Sequence, residues 1–154
     1  MPLLADDDAN YLREQFAALS ADVTLTVVAR ERSRLVLPGA VDDDAADSSA
    51  EVKQIVGEVA ATSPRFKVVE VDALTDADRA AALSDGRTPA IIFGGSGAKG
   101  RLRYFGLPAG YEMSTLVAAL MDLGSGESML PVEIADELGR LEHEVHIQVF
   151  VTPG

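Results

Sequence analysis

Thr88-Pro89-Ala90-Ile91-Ile92-Phe93-Gly94-Gly95-Ser96-Gly97-Ala98-Lys99-Gly100-Arg101-Leu102-Arg103-Tyr104-Phe105 is the stretch on which the reading of this chain turns. Ala90 to Phe93 is a short apolar run introduced by a proline that fixes the backbone ahead of it, and it reads as a strand. Gly94 to Gly100 is too glycine-rich to continue any element, so it turns the chain. Leu102 to Phe105 supplies a second run, and the stretch closes as an antiparallel hairpin.

Working outward, Leu12, Phe16 and Leu19 recur at four and three residues on one helical face, with Asp6-Asp7-Asp8 suited to the helix N-terminus. Val23, Leu25 and Val27 then alternate with period two, as a strand does. After Arg30 an irregular stretch holds Pro38-Gly39 and the acidic segment Asp42 to Asp47, and Ser48-x-x-Glu51 offers a capping box for the next helix. That helix buries Val52, Ile55, Val56 and Val59. Val68 to Val71 reads as a buried strand, Asp76 to Leu83 as a short helix, and Asp85-Gly86 as a turn into the hairpin. A nearly all-apolar helix follows from Met113 to Leu123. The expectation is an α/β unit: a four-stranded mixed sheet flanked by helices on both faces, with a right-handed crossover between its first two, parallel, strands.

The chain has 154 residues, 47% of them hydrophobic and 25% charged, enough for one domain with a short appendage. A net charge of -12 disfavours nucleic acid as a partner. No apolar run is long enough for a membrane span, and the aspartates near Met1 are wrong for a signal peptide, so a cytoplasmic protein is expected. There is no cysteine, which excludes a disulfide, a thiolate metal site or a cysteine nucleophile within these residues.

Pro131 begins a further helical pattern, Ile134, Leu138 and Leu141, followed by strand-like Val145, Ile147 and Val149. This series repeats Leu12, Phe16, Leu19, Val23, Leu25 and Val27 with every gap identical. The division expected is residues 1–125 as one domain and 126–154 as a linker and the opening helix and strand of a second, truncated repeat. An unpaired final strand would expose an apolar edge, from which pairing of two copies as a homodimer is expected.

Arg103-Tyr104-Phe105-Gly106-Leu107-Pro108-Ala109-Gly110-Tyr111-Glu112, the apolar helix after it, and Val149-Phe150-Val151-Thr152-Pro153 together resemble the glutaredoxin-like protein disulfide oxidoreductases and the N-terminal domain of the flavoprotein component of alkyl hydroperoxide reductase. Both families contain two fused thioredoxin folds. The resemblance implies a thioredoxin-like fold, with a Cys-x-x-C motif expected just beyond Thr152-Pro153. The first fold of a disulfide oxidoreductase can carry its own pair where this chain has Arg34-Leu35-Val36-Leu37, so the flavoprotein-type domain, which lacks that pair, is the better match. The function implied is a redox-inactive scaffold or docking half of a thiol–disulfide or peroxide-detoxifying system. Its partner would be a following redox-active thioredoxin-like domain or a protein disulfide substrate. The alternative is a stand-alone peptide- or protein-binding module.

Thr88 and Pro89 are the candidate binding residues, resembling the cis-proline element that docks extended peptides or a glutathione-like ligand in thioredoxin folds. No catalytic residue, cofactor or metal is expected. Gly95-x-Gly97-x-x-Gly100 matches a dinucleotide fingerprint only as a string, because a strand follows it instead of a helix. Asp42, Asp43, Asp44 and Asp47 lack the spacing of a calcium loop. His143 and His146 straddle a helix-to-strand junction and do not share a face for a metal. Tyr104 and Phe105 point to opposite sides of their strand. No Ser-His-Asp set can be placed, and a glutathione enzyme using serine or tyrosine would be expected to carry a large helical domain that does not follow here.

Overall fold

In the computed structural model, which describes residues 2–31, 44–96, 98, 100–127 and 130–151, the hairpin stretch forms β3 (Ala90–Gly95) and β4 (Leu102–Phe105), paired antiparallel from Ala90 opposite Phe105 to Phe93 opposite Leu102. Before them come α1 (Asp6–Phe16), β1 (Val23–Ala29), α2 (Asp44–Ala60), β2 (Phe66–Asp72) and α3 (Ala77–Ser84). After them come α4 (Tyr111–Ser125) and α5 (Val132–Gly139). The sheet order is β2-β1-β3-β4. β1 runs parallel to β2, with Val23 opposite Phe66, and antiparallel to β3, with Val28 opposite Ala90.

The strand period of two divides the core. Val23, Leu25, Val27 and Ala29 of β1 and Ile91 and Phe93 of β3 face a layer of three helices, meeting Leu12 and Phe16 of α1, Val52, Ile55, Val56 and Val59 of α2, and Leu116 and Leu120 of α4. Val28, Val71 and Ala90 face the other way, onto Ala80 of α3. Helices thus cover both faces, but unevenly. Each fully buried leucine or isoleucine here, such as Leu25, Ile91 or Leu120, contributes about 1.5–3 kcal/mol of apolar burial. The C-terminal end of α4 is tied back to the loop after α1 by Ser20 and Ala21, whose N–H groups both donate to Gly124 O at 2.9 Å.

Three expectations are corrected. The second helix starts at Asp44, not after Ser48, so Ser48 and Glu51 do not form its capping box. The helix begins at Asp44, and Ser49 lies buried inside it, its Oγ accepting from Arg30 N at 3.1 Å. β2 is an edge strand, so Val68 and Val69 are only half-buried and Val71 alone is fully covered. Val145 to Val149 form no strand: residues 141–151 join no ladder. A strand requires a neighbour for its N–H and C=O groups, and none of the described residues supplies one.

Candidate functional site

The C-terminal ends of β1 and β4 and the start of β3 meet at one end of the sheet, and Thr88 and Pro89 lie there. Pro89 is buried, Thr88 is half-buried, and the bond between them is cis. Pro89 O accepts from Gly106 N at 3.0 Å, which couples this element to the loop between β4 and α4. Upstream, Asp85 takes a left-handed conformation (φ 54°) at the end of α3, and its N–H donates to Ala81 O at 2.9 Å. The Asp85 carboxylate accepts from the Arg103 guanidinium, and the Arg87 guanidinium stacks 4.2 Å above the Phe105 ring. The approach to β3 is therefore held by β4 from the side opposite the three-helix layer. No hydrogen bond is made by the Thr88 backbone among the described residues.

Between α3 and the ends of β1 and β2, next to Thr88, lies a cleft of about 290 Å³ whose lining includes Arg30, Leu74, Ala77, Ala81 and Ser84. Its neighbouring turn is braced by hydrogen bonds. Asp72 accepts from Leu74 N at 3.0 Å and from Thr75 Oγ1 at 3.1 Å, and these bonds, with weaker help from Glu31 N and Lys53, hold its carboxyl below the usual range despite some desolvation. Lys53 bridges Glu31 at 3.2 Å and Glu70 at 3.0 Å. Burial opposes its charge, but the hydrogen bonds and charges of the two glutamates together raise its pKa.

Tyr104 and Phe105 pack on different faces, as the strand period requires: Tyr104 against the three-helix layer, Phe105 beside Val28 and Ala90. The Tyr104 hydroxyl donates to Glu112 Oε2 at 2.5 Å and lies 3.4 Å from Leu107 O, fixing the first turn of α4 to β4. Desolvation and then this bond to Glu112 push its pKa well above the ordinary 10.0. Because the folded state retains that proton where the unfolded chain has released it, the contribution is complete below pH 10 and declines as pH rises above it. An ultraviolet titration of the phenols is expected to show one late component that Tyr104→Phe removes; an unchanged curve in the variant would refute the assignment.

The described residues hold no cluster of His, Asp or Glu able to bind a metal, and His143 and His146 are both exposed. The Asp42 and Asp43 positions, Arg34 to Leu37, Gly97, Lys99 and Thr152-Pro153 lie outside the described residues, as do the side chains of Asp44 and Asp47. β4 follows the glycine turn, so the Gly95 string has the hairpin context expected of it. The cleft, the Arg87–Phe105 stack and the Tyr104–Glu112 bond have no signal in the sequence, since each depends on how separate elements and loops are brought together in the fold. What the site offers chemically is a backbone edge, a small cleft and one arginine.

No protein-family model matches the chain. It is 26% identical over 106 residues to the F component of alkyl hydroperoxide reductase from Staphylococcus aureus (strain MRSA252), covering 69% of this chain and 18% of that protein. It is 31% identical over 67 residues to the same reductase component from Pseudomonas putida, covering 44% of this chain and 13% of the relative. The chain thus spans less than a fifth of the curated relatives it matches. Among solved structures, the NTD_N/C domain of alkylhydroperoxide reductase AhpF from Enterococcus faecalis (V583) superposes with a TM-score of 0.68 at 18% identity, over 88% of this chain and 59% of that one. A protein disulfide oxidoreductase from Aeropyrum pernix K1 gives 0.71 at 22%, over 92% and 56%. The fold is thioredoxin-like, and the resemblance first met in the Tyr-Phe-Gly-Leu-Pro-Ala-Gly stretch is one to these two groups of proteins.

Proposed function

We propose that the chain is the non-catalytic, thioredoxin-like half of a cytoplasmic thiol–disulfide or peroxide-reducing system. Residues 1–125 form that half, and residues 126–154 open a second thioredoxin-like unit bearing the redox cysteines. The observation that supports this best is the contrast between two matched apolar series. Phe16 and Leu25 are 2% and 0% exposed, whereas their counterparts Leu138 and Ile147 are 51% and 80% exposed. An exposed apolar surface of this extent marks an interaction site. Because the first series is covered by α2, β3 and α4, the second suits a surface of the same kind, as another thioredoxin-like unit would provide.

The test is to read the coding sequence past Gly154 and, where a Cys-x-x-C segment follows, to assay the longer protein on a protein disulfide. Leu138→Asp would bury a charge at the junction and is expected to lower activity by about tenfold or more, with the 154-residue chain inactive. Dithiol-dependent insulin reduction by the 154-residue chain, or a longer protein indifferent to Leu138→Asp and Ile147→Asp, would overturn the proposal. Pairing of two copies through residues 145–151 is the competing outcome, visible by light scattering.

The Thr88 backbone, which makes no hydrogen bond among the described residues, favours a second role compatible with the first, docking of an extended peptide beside Thr88 and Pro89 through main-chain hydrogen bonds.

A further inference from the structure

Asp85-Gly86 is the one Asp-Gly pair in the chain, and its setting combines exposure with restraint. Both residues are exposed. A Cβ built on Gly86 would meet nothing within 4 Å, so the approach to its backbone is open, and its N–H makes no hydrogen bond among the described residues. A glycine nitrogen in that state is free to act as a nucleophile toward the carboxyl carbon of the preceding side chain. Two features keep that carbon away from it. At φ 54° and ψ 35°, the tetrahedral geometry of the Asp85 Cα sets Cβ anti to the Gly86 nitrogen. The carboxylate is also drawn to β4, where it accepts from Arg103 Nη1. Arg103 is well placed to hold it, because its side chain is only 14% exposed, against 56% for Asp85. Its Nε is buried without a partner, so Asp85 is held by a single arm of the guanidinium.

We propose that Asp85 is a site of covalent modification, isomerisation to isoaspartate, and that Arg103 is the residue that restrains it. When the turn opens and the Asp85 Cα–C bond rotates, the Gly86 nitrogen attacks Asp85 Cγ. The N–Cγ bond forms, the nitrogen gives up its proton, and a Cγ–O bond breaks, so that one water leaves and a five-membered succinimide remains. Water then adds to the former main-chain carbonyl carbon of Asp85 and breaks its bond to the Gly86 nitrogen. The chain now runs through Cβ and Cγ, one methylene longer between α3 and β3. One water has left and one has entered, and no oxidant or co-reactant is consumed. The rate follows the population of the locally opened turn, which the bond from Arg103 keeps small.

The test is to incubate the 154-residue chain in water enriched in oxygen-18 and to follow residue 85 by peptide mapping and mass spectrometry, beside a synthetic peptide of residues 82–90 that has no Arg103. Isoaspartate carrying one solvent oxygen is expected to accumulate at residue 85, more slowly in the folded chain than in the peptide. Arg103→Leu is expected to raise the rate in the folded chain about fivefold, as loss of one partly exposed ion pair allows, and Arg103→Lys to give a rate between the two. Slow hydrogen exchange at the amides of Leu25 and Ile91, on the central strands, reports that each variant is folded. Should Arg103→Leu lose that protection, the comparison rests on Arg103→Lys, whose rate is still expected to exceed that of the parent chain. No isoaspartate at residue 85 while the peptide converts would overturn the proposal. So would a folded chain that converts as fast as the peptide, or a folded Arg103 variant that converts at the parent rate.

Discussion

Replacing Gly95 by alanine is expected to destabilise the chain by about 3 kcal/mol, combining strained backbone with a steric clash. Gly95 has φ +145°, and a Cβ there would lie 2.5 Å from Asp22 O and 3.3 Å from Val23 Cα. Both obstacles are backbone atoms at the start of β1, where Val23 pairs with Gly95. Relief requires displacing one central strand from the other, at the point where β1 also receives β2. Gly57 is the control: it lies within α2, a Cβ there meets nothing within 4 Å, and Gly57→Ala is expected to stabilise by about 0.5–1 kcal/mol through helix propensity. Urea unfolding of the two variants reads both signs. A loss below about 1 kcal/mol for Gly95→Ala would mean that the strand ends separate freely.

The ease of reading the fold from the sequence, and the difficulty of reading the site, have one physical origin. Val23, Leu25 and Val27 declare their strand because burial on one face imposes a local period of two, and Leu12, Phe16 and Leu19 declare a helix by the same logic with another period. Such signals need no knowledge of neighbours. The start of α2 departs from the expected position: Ser48-x-x-Glu51 has the local pattern of a capping box, but it lies inside the helix, which starts at Asp44. Val145 to Val149 carry the strand period without a ladder, since periodicity reports which face seeks burial and not whether anything is present to bury it. At the site, Thr88 and Pro89 stand out by residue type. The contact between Arg87 and Phe105 follows from the register that sets Ala90 opposite Phe105, and the bond from Tyr104 to Glu112 depends on the course of the loop between β4 and α4, neither of which has a signature along the chain.

Phe16→Ala is expected to cost about 4 kcal/mol, and Leu138→Ala, the same position in the second series, less than about 0.5 kcal/mol. Phe16 is 2% exposed and meets Phe66 edge-to-face with ring centroids 4.8 Å apart. Truncating it removes the transfer energy of a buried ring, leaves a cavity that α1 and β2 cannot both close, and forfeits the aromatic contact, worth roughly 0.5–1.5 kcal/mol. Leu138, on α5, is half exposed and has no packed shell to lose. In a longer protein in which a second unit covers α5, Leu138→Ala should instead cost about 2–5 kcal/mol, as core leucine truncations do. The pair therefore measures burial of the second series directly, by urea unfolding of the 154-residue chain and of the longer protein. A rise in the Leu138 cost between the two would place α5 inside a second core. A cost that stays near zero in both would make its apolar face an ordinary surface and refute the two-unit reading. A large cost already in the 154-residue chain would show that two copies bury the face against each other.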